Sequence, residues 1–171
     1  GLDIPAAMSA LKDEIVGATT DEELFYAIVK LSNARRDRHL RIRPVEGGLE
    51  APADYDVYAN TNYPHLRRDP NDILPAAPVR FRTDFGAEPR HVFVRDFAKD
   101  LEGRLRVGDR LVAINGVPAE SYMERIRPYF RYSTENGFWI RASEALSEKT
   151  PILPKSFYAS ELTIELVGAD G

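Results

Sequence analysis

The chain has 171 residues, 43% of them hydrophobic, enough to bury one core or a core with a substantial appendage. A net charge of -4 lacks the basic footprint of a nucleic-acid-binding domain, and the absence of cysteine excludes disulfides, thiolate nucleophiles and cysteine-based zinc sites. No apolar stretch reaches membrane-spanning length and the first residues lack the regions of a signal peptide, although a start at Gly1 rather than Met fits a processed or truncated chain that has lost a leader.

The first 43 residues read as a helical hairpin. Ile4, Ala7, Met8, Leu11 and Ile15 recur at helical spacing behind the start signals Asp3 and Pro5, and Gly17 with Thr19-Thr20 interrupts the pattern. Thr20 and Glu23 then have capping-box spacing, in which each side chain satisfies a backbone donor of the other. Leu24, Ile28 and Leu31 continue the apolar face of a second helix. The basic cluster Arg35, Arg36, Arg38, Arg41 and Arg43 suits the carboxyl-terminal end of that helix, where cations meet the negative end of the macrodipole, better than a phosphate site.

Residues 44–72 form a connector rich in Pro, Asp, Asn and Gly, with Tyr55, Tyr58 and Tyr63 suited to packing it down. From residue 73 the pattern is strand-rich. Val79–Thr83, His91–Phe97 and Arg110–Asn115 read as strands, followed by a helix from Pro118 with Tyr122, Ile126 and Phe130 at i, i+4 and i+8. Residues 133–155 read as an insertion with a helix over Glu135–Leu146, anchored by Phe138, Trp139 and Phe157, before a last strand Glu161–Val167. The expected fold class is α+β, with units at 1–43, 44–72 and 73–171.

The densest local signal is Leu105-Arg106-Val107-Gly108-Asp109-Arg110-Leu111-Val112-Ala113-Ile114-Asn115-Gly116-Val117-Pro118. Gly108-Asp109 opens a tight turn, Leu111–Ile114 is a short apolar run, and Asn115-Gly116 suits a turn that needs positive φ. This order resembles the segment of PDZ domains that precedes their peptide-flanking helix. A helical pair ending in Asp37-Arg38-His39-Leu40 and followed by such a domain is similar to the amino-terminal half of family 41 serine peptidases, the group of the tricorn and C-terminal processing peptidases. The resemblance implies a partly open PDZ-like β-barrel, a His39 that serves as general base in the complete enzyme, and a nucleophile in an α/β core downstream in the same polypeptide. It also implies a secreted or cell-envelope protein acting on peptide or protein substrates, and no cofactor.

PDZ domains bind an extended peptide as an added strand and capture its carboxylate on the N–H groups of a preceding loop. The corresponding positions are Leu74, Ala76 and Ala77 in the loop, Val79 and Phe81 on the strand, and Tyr122 and Ile126 on the helix. Pro75 and Pro78 lack the N–H that a carboxylate-binding loop uses. Two other readings stay open: a free-standing adaptor for peptide tails, and an interaction module whose groove is filled by its own connector or insertion. Ser9 and Lys12 share a helical face but lack any accompanying catalytic motif, and His39, His65 and His91 are too far apart in the chain to suggest a metal site.

Overall fold

Asp3 ahead of an Ile-Pro pair supplies the first helix with a capping oxygen and a proline whose missing N–H is no loss at that position. In the computed structural model, which describes residues 3–39, 78–147, 153–154, 157 and 163–169, α1 runs Ile4–Gly17 and the Asp3 carboxylate accepts from the Ala6 N–H at 3.0 Å. Helix α2 spans Asp21–Asn33 and carries the full capping box: the Glu23 N–H donates to the Thr20 hydroxyl at 3.2 Å, and the Thr20 N–H donates to the Glu23 carboxylate at 3.3 Å. The Thr19 N–H and hydroxyl donate to the same carboxylate at 2.7 and 2.9 Å. The Thr19 N–H foremost, with these other donors, holds the Glu23 carboxyl below its ordinary range. Helix α2 is capped at Ala34, and two residues further on Arg36 takes a left-handed φ of 50°; Arg41 and Arg43 lie outside the described residues.

The described residues divide into two compact units. One gathers 3–39, Pro128–Thr134 and 153–154; the other gathers 78–127, 135–147, 157 and 163–169. The first is therefore more than a hairpin. Phe25, Tyr26 and Val29 of α2 form its buried cluster with Tyr129 packed against them, the Tyr26 and Tyr129 rings meeting edge to face at 5.8 Å. The Tyr26 hydroxyl donates to the Leu153 carbonyl at 3.2 Å, and the Asn33 amide donates to the Pro128 carbonyl at 3.0 Å. Lys30 links the helices through Glu14 and lies over the Tyr129 ring at 5.3 Å. No residue of α1 is buried: Leu11 and Ile15 are half-buried, whereas Met8, expected on the packed face, is exposed.

The second unit is an antiparallel sheet with helices. Strands β1 (Val79–Asp84), β2 (His91–Phe97), β3 (Arg110–Ile114) and β4 (Val117–Pro118) lie in that order, and β5 (Ile164–Val167) pairs with β3. Helix α3 covers Ala119–Ile126 and α4 covers Glu135–Ala145. The architecture is mixed α+β, with four helices and an open five-stranded sheet among the described residues. Helix α3 is shorter than its apolar spacing predicts. Pro128 has no N–H for the Glu124 carbonyl, so the chain passes into a 3-10 turn at Arg127–Tyr129, and Phe130 is buried with the first unit instead of continuing α3.

Both turns around β3 form as their residues require. In the first, Gly108 has φ 98° and its N–H donates to the Val94 carbonyl at 2.9 Å, while the Val94 N–H donates to the Asp109 carbonyl at 2.8 Å. The buried Asp109 carboxylate accepts from the Arg106 N–H at 2.8 Å. In the second, Asn115 and Gly116 have φ 49° and 73°, the pair of left-handed residues a tight hairpin needs. The Asn115 N–H and side-chain oxygen also bond the Thr163 backbone, both at 2.8 Å, which ties this turn to the approach of β5.

Replacing Asp109 by Ala strands the Arg106 N–H and is expected to lower stability by about 1–3 kcal/mol; an unchanged urea midpoint would show the turn does not need it. Thr20→Ala is expected to cost about 1 kcal/mol. Because the Glu23 pKa is lowered on folding, the stability it lends is complete above its ordinary value of 4.5 and is lost as pH falls through the depressed value. Glu23→Gln should therefore flatten the acid limb of a stability-versus-pH curve, and an identical limb in the variant would exclude this source.

Candidate functional site

Strand β1 alternates buried Val79, Phe81 and Thr83 with exposed Arg80, Arg82 and Asp84, so one face is committed to the interior. Helix α4 packs on β1 and also meets α3. It buries Phe138, Trp139, Ala142 and Ser143, and the two aromatic rings meet edge to face at 5.8 Å. Removing one such aromatic side chain from water is worth about 1.5–3 kcal/mol, enough to hold a short helix in place.

Two polar contacts fix the register of this packing. The Phe81 N–H donates to the Ser147 hydroxyl at 3.0 Å, and the Thr83 hydroxyl donates to the Trp139 carbonyl at 3.1 Å. An N–H of β1 that does not serve the ladder is thus occupied from within the chain. A second tie lies at the start of α4. The Arg127 guanidinium donates to the Glu124 carboxylate at 2.6 and 2.7 Å and to Glu135 at 2.8 Å, and lies 4.0 Å from the Phe138 ring centroid. The Arg90 guanidinium adds a bond to the Asn136 side-chain oxygen at 3.2 Å.

The residues expected to form a peptide groove are therefore built in, and not left open. Val79 and Phe81 are buried on β1; Tyr122 and Ile126 are buried on α3. The Tyr122 ring meets Phe157 edge to face at 6.3 Å, and burial pushes its hydroxyl above the ordinary range. Helix α4 packs against both β1 and α3, the elements that carry these residues. Leu74, Ala76 and Ala77 lie outside the described residues. Sequence reading identified Phe138, Trp139 and Phe157 as anchors but missed Ser147 and Arg127. A serine just past a helix and an arginine three residues after a glutamate are common surface patterns, and nothing local marks these two as ties.

His39 lies in the first unit. Its Nδ1 is 3.2 Å from the Asp37 carboxylate, its N–H donates to the same oxygen at 2.8 Å, and its side chain is 93% exposed. An Nδ1–H donated to the carboxylate leaves Nε2 as the acceptor, facing outward, which is the tautomer a general base needs. The Asp37 carboxylate thus orients the imidazole. The turn carrying it is held by the Arg38 N–H, which donates to the Ser133 hydroxyl at 3.2 Å.

Among the described residues no group of three or more His, Asp or Glu is placed to hold a metal ion, and no helix is long and apolar enough to cross a membrane. His65 lies outside the described residues. No family model, curated protein or solved structure matches the chain.

Ser147→Ala leaves the Phe81 N–H without its acceptor and is expected to cost about 1–2 kcal/mol. The accompanying signature is faster hydrogen exchange at the Phe81 amide than in the parent, and exchange at the parent rate would show that the hydroxyl does not hold it.

Proposed function

We propose that this chain is the non-nucleophilic front half of a serine peptidase of family 41, in which a PDZ-like unit positions or gates protein substrates with its groove closed by its own helix. The observation that carries the closed form is α4 lying on β1, with the Ser147 hydroxyl on the Phe81 N–H. A peptide adding as a strand needs that edge and the apolar space beside it. The PDZ-like reading is supported by the order strand, strand, 3-10 turn, strand, Asn-Gly turn, short strand, helix, and by a last strand that pairs with β3. The peptidase reading is supported by the Asp37–His39 pair, whose Nε2 faces outward with no partner among the described residues.

The roles divide by chemistry. His39 Nε2 would take the proton of a serine hydroxyl supplied by the downstream core, with Asp37 holding the imidazole in orientation. The PDZ-like unit would act on the substrate outside the reacting bond. An open adaptor for peptide tails fits less well, because the polar and apolar parts of the groove are already satisfied internally.

Titration of the chain with a library of free-carboxylate peptides is expected to show no saturable binding; micromolar binding by the unmodified chain would overturn the closed form. In the full-length polypeptide His39→Ala is expected to lower kcat by about 100-fold or more with little change in KM. Unchanged turnover would remove His39 from the chemistry.

A further inference from the structure

The face of the sheet turned away from α4 carries a different arrangement. In β1, β2 and β3 the side chains opposite the buried set are Arg82 and Asp84, His91 and Phe93, and Arg110. Strand pairing puts Arg82 beside Phe93 and Phe93 beside Arg110, so an aromatic ring lies between two arginines in one row across three strands. The next row pairs Asp84 with His91.

This face is hollow at one end. An open cleft of about 470 Å³ is lined by Asp84, His91, Phe93, Gly108, Arg110 and Val167, together with the residues just after β5. A volume of this size falls in the range of small-ligand sites and holds an amino-acid side chain with its flanking backbone. Arg110 Nη1 lies 3.4 Å from His91 Nε2, and no carboxylate pairs with Arg110 among the described residues. A guanidinium has five donors in a rigid fork, so this contact orients the group while leaving most of its donors to a ligand. The acid on this rim, Asp84, accepts from the Gly86 N–H at 2.8 Å within its own turn.

We propose that this cleft binds a side-chain carboxylate of an acidic peptide segment, with the Arg110 fork on the carboxylate and Phe93 and Val167 against the aliphatic part of the side chain. Two features select a single carboxylate over a polyanion. Asp84 stands on the same rim, where it repels a second negative charge, and the chain carries a net charge of -4 that disfavours nucleic acid at longer range. The site is on the face opposite α4, so it operates whether or not the groove of the PDZ-like unit opens, and it does not depend on the peptidase assignment.

The test is an NMR titration of the isotope-labelled 171-residue chain with a blocked peptide, acetylated and amidated, whose one charge is a glutamate side chain. Saturable shifts are expected at the amides of Asp84, His91, Phe93, Gly108 and Arg110. The glutamine version of the peptide, and separately Arg110→Ala, are each expected to weaken binding about tenfold. Arg110→Lys, which keeps the charge but not the fork, should fall between. Arg110 is exposed, and an unchanged β2 and β3 amide pattern in the variants verifies the fold. Equal binding of the glutamine peptide, undiminished affinity in Arg110→Ala, or shifts confined to other residues would overturn the proposal. Tighter binding of a single-stranded oligothymidylate would overturn it in favour of nucleic acid, and equal affinity for inorganic phosphate in favour of a small-anion site.

Discussion

The placement of α4 on β1 governs the second unit, and Arg127 is where that placement begins. Its guanidinium holds Glu124 on α3 and Glu135 at the start of α4 while lying against the Phe138 ring. The carboxylates are about half exposed, so each ion pair alone is worth little in water. Their effect is geometric, because one planar group satisfied on three sides leaves the first turn of α4 a single orientation. From that orientation Phe138 and Trp139 reach the interior, and the helix ends close enough to β1 for Ser147 to accept from Phe81.

The sheet consequently has two unlike faces. On the inward one, apolar burial is joined by two hydrogen bonds from β1 to α4 and the residue just past it. On the outward one, an arginine, a histidine, an aspartate and an aromatic ring line an open cleft. In the helical unit, the Asp37–His39 pair is oriented by its own short turn, which leaves the imidazole available to a partner from outside that turn.

Much of this was legible locally. The Asp3 cap, the Thr20–Glu23 box, the turn at Gly108-Asp109 and the Asn115-Gly116 pair are interactions among residues a few positions apart, and the chain forms each of them. The alternation in Val79–Thr83 likewise reported which side chains are buried, because a strand with one covered face imposes a period of two. Reading failed where a long-range contact competed with a local pattern. Phe130 lies at helical spacing from Tyr122 and Ile126, but Pro128 removes a backbone donor and the buried Phe130 belongs to the first unit. Met8 has the spacing of a packed residue, yet α1 contributes no fully buried side chain.

The candidate sites divide in the same way. The amino-acid sequence by itself determined the α+β composition, most element positions, the turns that flank β3 and the Asp37–His39 spacing, because these follow from short-range hydrogen bonding and hydrophobic period. Only the tertiary structure decided that Val79, Phe81, Tyr122 and Ile126, expected to line a groove, are internal, that Ser147 reaches across 66 positions to Phe81, and that Arg82, Phe93 and Arg110 share one row. Those facts depend on strand register and on where a helix comes to rest. Both are set by the packing of residues distant in the chain, which no local pattern encodes.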